Sequence, residues 1–91
     1  MTVTVRIPAS LQRFSGGASR VSLEADDLAG SLAGLARLHP ELGSNIMAAD
    51  GRVRPFVRVF VNERDCSRAD GAALQLAAGD TITLMPAFAG G

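Results

Sequence analysis

The chain has 91 residues, 47% hydrophobic and 20% charged, and its nine basic and nine acidic residues cancel. That is enough for one small core and too little for a catalytic cleft between two lobes, while a neutral balance removes bulk attraction to nucleic acid or an anionic membrane. No apolar run approaches the roughly 20 residues that span a bilayer, no basic and apolar leader opens the chain, and the single cysteine, Cys66, excludes an internal disulfide, so the expectation is a cytoplasmic protein held by packing alone.

Residues 2–7 alternate, with Val3, Val5 and Ile7 on one face and Thr2, Thr4 and Arg6 on the other, the period of a half-buried strand. Pro8 closes it. The polar run Ser15-Gly16-Gly17-Ala18-Ser19 reads as a hairpin-type loop into a second strand at 20–24, with Val21 and Leu23 inward. Asp26 or Asp27 is a good helix N-cap. Leu28, Leu32, Leu35 and the Leu38/His39 pair then share one helical stripe, ended by Pro40. Gly30, Gly34 and Arg37 fall on the solvent side, Leu42 and Ile46 extend the apolar cover, and 48–54 reads as a surface loop.

Residues 56–61 form the strongest strand pattern, with Val57, Val59 and Val61 on one face and Phe56, Arg58 and Phe60 on the other. The valines belong beneath the helix. The aromatic rings and guanidinium are left on the far face as a candidate docking surface, unless surface loops fold over them. Asn62-Glu63-Arg64-Asp65 reads as a turn into a short edge strand near Cys66, followed by a brief apolar turn through Leu74 and Leu76. Ala78-Gly79-Asp80 launches a final strand, 81–85, with Ile82 and Leu84 inward.

The order describes an α+β fold: a mixed four- to five-stranded sheet with one main helix on one face, a ubiquitin-like β-grasp. Residues 1–85 form the domain and 86–91 a flexible reactive tail. Pro86 stops the ladder and holds Pro86-Ala87-Phe88-Ala89-Gly90-Gly91 clear of the sheet. Six residues beyond Met85 reach about 20 Å when extended, and a Gly-Gly backbone without side chains fits a narrow channel in a partner. The reactive atom is then the carboxyl carbon of Gly91, with a frayed, inert terminus as the bland alternative.

Rival sites have weaker grounds. Cys66 and His39 lie on different elements with no third orienting group, as a nucleophile and base require. Asp26 and Asp27 with one histidine give no metal-ligand spacing, so no metal is expected. Phosphate-cradling loops are absent, so any ATP is expected to be bound by a partner, and no bound cofactor is expected on this chain. Arg52, Arg54, Arg58, Arg64 and Arg68 are interleaved with Glu63, Asp65 and Asp70, which favours a solvated surface over a nucleic-acid face.

Phe56-Val57-Arg58-Val59-Phe60-Val61-Asn62, the turn Ala78-Gly79-Asp80 and the ending from Ile82 to Gly91 together resemble the MoaD/ThiS family of ubiquitin-like sulfur carriers, over the whole chain. The Pro-Ala-x-Ala-Gly-Gly ending is most similar to the subgroup that supplies sulfide for cysteine biosynthesis. The resemblance implies a carrier and not an enzyme. A ubiquitin-activating-type adenylating enzyme would use ATP and magnesium to adenylate Gly91, preceded by Gly90, and sulfur would then give a thiocarboxylate. It also implies partners: a sulfur-accepting synthase, here a PLP-dependent cysteine synthase, and a zinc hydrolase, with a monomer when free. The candidate contacts Phe56, Arg58, Phe60, Pro86 and Phe88 come from the strand and tail pattern; Arg58 and Phe88 are local choices without a family role, and Phe88 either anchors the tail in a partner groove or folds back on its own sheet. The alternatives are a molybdopterin synthase small subunit, a carrier for thiamin or a thio-secondary metabolite, and a ubiquitin-like modifier of lysines.

Overall fold

The alternation of Val3 and Val5 with Thr2, Thr4 and Arg6 forms strand β1 (Thr2–Arg6), because a pleated strand sends successive side chains to opposite faces. A computed structural model describes residues 1–48, 53–54, 57–65 and 75–86. Further strands are β2 (Arg20–Glu24), β3 (Val57–Val61), β4 (Arg64–Asp65) and β5 (Thr81–Pro86), and the helices are α1 (Leu28–Leu38) and α2 (Pro40–Ile46). The sheet order is β2-β1-β5-β3-β4. The first and last strands are parallel neighbours at its centre, and the other pairings are antiparallel.

One sheet face is the core. Val3, Val5, Val21, Val57, Val59, Val61, Ile82 and Leu84 are buried against Leu28, Leu32, Leu35, Leu42 and Ile46 from the helices. Each such side chain contributes about 1.5–3 kcal/mol by leaving water. The valine row of β3 lies where the alternation placed it.

Several helical details differ from the sequence reading. Asp27 is the N-cap, its Oδ1 accepting from the Gly30 backbone N–H at 2.7 Å. Gly30 is therefore half-buried beside a carboxylate, and a Cβ there would lie 2.9 Å from that oxygen. Gly34 is not on the solvent side either; it faces Leu23 of β2. Leu38 is 57% exposed because α1 ends there. Ser31 takes a buried place in the stripe, its hydroxyl satisfied by donating to the Leu28 carbonyl at 2.7 Å. Pro40 ends the first helix and occupies the first turn of the second, where its missing N–H costs nothing.

The connection from β1 to β2 is more structured than a hairpin loop. Ala9–Phe14 forms a 3-10 helix, with Leu11 and Phe14 packed on the core and Arg13 over the Phe14 ring at 5.4 Å. The buried Ser15 hydroxyl lies within hydrogen-bond distance of the Gln12 and Ala18 carbonyls, 3.0 and 2.7 Å away. After α2 the chain folds back, and the Arg54 N–H donates to the Ile46 carbonyl at 2.8 Å. Leu76 is buried; Leu74 and Cys66 lie outside the described residues.

Asn62 and Asp80 bind the β3–β4 turn to the start of β5. Asn62 adopts a left-handed φ of 56°, which asparagine tolerates better than most residues. Its Oδ1 accepts from the Thr81 N–H at 3.1 Å, and its Nδ2 donates to Asp80 Oδ1 at 3.2 Å. Asp80 Oδ2 also accepts from the Ala77 N–H at 2.8 Å. The Ala77 donor, and after it the Asn62 amide, hold the Asp80 carboxyl below its ordinary value. Since the folded value lies below the unfolded one, this contribution is complete above the unfolded aspartate range and is lost as pH falls through the folded value. Melting curves should show Asp80→Asn less stable than the parent at neutral pH, with the gap closing below that window.

Candidate functional site

The face opposite the helices carries Thr2, Thr4 and Arg6 from β1, Arg20, Ser22 and Glu24 from β2, Thr81, Thr83 and Met85 from β5, Arg58 and Phe60 from β3, and Asp65 from β4. This follows from the cross-strand registers, because directly paired residues share a face. Pro86 takes the last ladder position, opposite Val57. Since β1 and β5 run parallel, the C-terminal ends of both lie at the end of the sheet from which the chain continues to residues 87–91.

Of the sequence-predicted contacts, Arg58 and Phe60 stand on this face near that end. Arg58 pairs with Met85, and Phe60 with Thr83 on one side and Asp65 on the other. Phe60 is half-buried, and Met85 is 47% exposed. Arg58 is exposed on the outer face, where the alternation placed it, and its guanidinium has a partner there. Its Nη1 donates to Asp65 Oδ2 at 2.9 Å, an exposed ion pair worth at most about 1 kcal/mol that fixes the side chain along the edge. Phe56, Phe88, Gly90 and Gly91 lie outside the described residues, and Pro86 is described by its backbone.

Sequence reading missed the partnership of Arg6 with Arg20. Alternation puts each on the outward face, but residues 7–19 separate the strands, and their register is visible only in the structure. The two arginines are directly opposed, and Arg6 is also level with Thr83. The row across the face therefore reads Arg20, Arg6, Thr83, Phe60, Asp65.

The opposite end is acidic and internally satisfied. The Met1 ammonium lies 3.9 Å from Glu24 and 3.5 Å from Asp26, and the Thr2 hydroxyl donates to Glu24. Of the arginines weighed as a basic face, Arg54 donates through Nε to the Ser44 carbonyl on α2 at 3.1 Å and Arg58 is held by Asp65, while Arg52 and Arg68 lie outside the described residues. His39 is a half-buried junction between the helices, its backbone N–H donating to the Leu35 carbonyl at 2.9 Å. Among the described residues no three metal-ligating side chains converge, and no helix is long and apolar enough to cross a membrane.

A mixed sheet of order 2-1-5-3-4, helices on one face and a central last strand leading into the C-terminal segment define a ubiquitin-like β-grasp protein. The model of the ThiS family matches residues 5–91, and the chain belongs to that family. It is 34% identical to sulfur carrier protein CysO of Mycobacterium tuberculosis over 93 residues, covering all of both chains. A chain of the Amycolatopsis orientalis BexX/CysO complex superposes with a TM-score of 0.86 at 28% identity, over 98% of this chain and 99% of that one. Small archaeal modifier protein 1 of Haloferax volcanii gives 0.78 at 27%, over 96% and 98%. The protein is a sulfur carrier of the ThiS/CysO type.

Proposed function

We propose that the Gly91 carboxylate carries the sulfur, and that cysteine biosynthesis is the pathway served. The observation that supports this best is the family match, which runs through Gly90-Gly91, joined to full-length identity with CysO. A carboxylate is a poor electrophile until it bears a good leaving group. An adenylating partner with ATP and magnesium attaches AMP to Gly91 and releases pyrophosphate. A sulfide equivalent then forms the carbon–sulfur bond as the carbon–oxygen bond to AMP breaks, leaving a thiocarboxylate. The chain's part is presentation: it supplies the acyl group, a side-chain-free approach through Gly90, and the face carrying Arg58, Phe60 and Pro86, with Phe56 and Phe88 beside them in sequence, for the partner to grip.

The acceptor is tested by mixing the thiocarboxylated chain with a PLP-dependent cysteine synthase and an activated serine. A covalent carrier–cysteine adduct that a zinc hydrolase cleaves is the expected product. Sulfur transfer to a molybdopterin precursor or a thiamin intermediate, with none to serine, would move the protein to another pathway. The likeness to an archaeal modifier protein supports a second reading, conjugation to lysines, for which tail remnants on other proteins after activation are the required observation.

A further inference from the structure

We propose that Arg6 and Arg20 form a cationic pair that docks a carboxylate-bearing surface of the enzyme receiving the tail, and that this pair sets affinity and orientation apart from the tail itself. The identity of that enzyme rests on the function proposed above; the acidic character of its contact surface does not. Two arginines directly opposite on antiparallel strands place like charges about 5 Å apart at Cβ, an arrangement that costs stability. Both side chains are exposed, and neither forms an ion pair among the described residues.

The described carboxylates on or beside this face are engaged elsewhere. Glu24 faces Met1 and Thr2, Asp26 faces Met1, Asp65 holds Arg58, and Asp80 holds Ala77 and Asn62. The charge asymmetry is thus local, in a chain whose net charge is zero. The pair sits at the end of the sheet nearer the tail. Arg6 is level with Thr83, three residues before Pro86, or about 10 Å along the strand. On the same face Met85 takes the next outward position of β5 after Thr83, and Phe60 lies across Thr83 from Arg6. Arginine sharing one face with an aromatic ring and a methionine is the composition of a protein interface, and charge complementarity requires carboxylates opposite. A nucleic acid would need a broader cationic surface than two side chains in a neutral protein.

The test is binding of the full chain, without ATP, to the ubiquitin-activating-type adenylating enzyme of the same genome, at low and high salt. Arg6→Gln/Arg20→Gln should raise Kd about tenfold or more, mainly through a slower on-rate, and flatten its salt dependence. Arg13→Gln/Arg37→Gln, which neutralises exposed arginines elsewhere, should match wild type. Removing like charges should leave Tm no lower than the parent's, and each single variant should show a partial loss, so that lost binding is not lost folding. Unchanged Kd and salt dependence in the double variant would overturn the proposal, as would retention on heparin that depends on the pair while enzyme binding does not. Arginine-dependent binding without any conversion of Gly91 would retire the carrier chemistry and leave the docking surface. Equal conversion and equal binding of the double variant and wild type would do the reverse.

Discussion

Gly43→Ala is expected to destabilise the fold by about 1–3 kcal/mol, the usual cost of forcing a methyl into a packed interior. Gly43 is buried where α2 crosses α1, and a Cβ there would lie 2.5 Å from the Ala36 Cβ and 2.9 Å from its Cα. The second of these is backbone, so no rotamer change relieves it and the helices must part. For a domain of this size each kcal/mol lowers Tm by roughly 4–8 °C. Ala36→Gly should rescue Gly43→Ala in part, because it removes the nearer atom, leaves the Cα and adds a helical glycine costing about 1 kcal/mol. A double-mutant cycle in urea checks this, the expected sign being a favourable coupling between the two substitutions. A Gly43→Ala protein as stable as its parent would mean that the helices are not in close contact.

Deletion of Gly91 is expected to abolish sulfur loading while leaving Tm unchanged. The reach of the tail shortens by about 3.5 Å, and a misplacement of 1 Å at a reacting centre already costs about a hundredfold. Gly90→Val should have a similar effect for a different reason, since a branched side chain obstructs entry to a narrow channel. The fold gives both variants a clear control. Among the described residues the buried core runs from Val3 to Leu84, and circular dichroism and melting are expected not to register changes at residues 90 and 91. Loss of loading together with loss of melting cooperativity would instead mean that the tail supports the domain.

Strands β1, β2, β3 and β5 are legible because each is a short alternating run with one face toward the core, whereas β4 is two exposed residues, Arg64–Asp65, that read as part of a turn. Val3, Val5, Val57, Val59, Val61, Ile82 and Leu84 are all buried as their period requires. The N-cap was narrowed to two residues, and Asp27 is the one whose side chain reaches Gly30. What escaped notice depends on contacts between segments distant in sequence. The 3-10 helix Ala9–Phe14 contains no fully buried residue, and its two core-facing side chains, Leu11 and Phe14, are too few to mark an element in the sequence. Pro40 reads equally as a helix stop and as a helix first turn, and only the short α2 behind it decides. Leu38 matches the helical stripe, but the helix ends there and leaves it exposed, while Ser31, its hydroxyl donating to the Leu28 carbonyl, is buried within the stripe. At the candidate site, alternation put Arg58 and Phe60 on the outer face. It could not show that Asp65 would hold Arg58, or that a connection of uncertain length would set Arg6 opposite Arg20.

The central claim is that the terminal carboxyl of Gly91 is the atom on which sulfur is carried. Its most direct test is the intact mass of the full chain after incubation with ATP, magnesium, the adenylating enzyme of the same genome and a sulfide source. The account predicts a mass increase equal to the exchange of one oxygen for one sulfur, localised by fragmentation to Gly91 and dependent on ATP. An unchanged mass, with an enzyme shown to be competent on another carrier of the family, would contradict it.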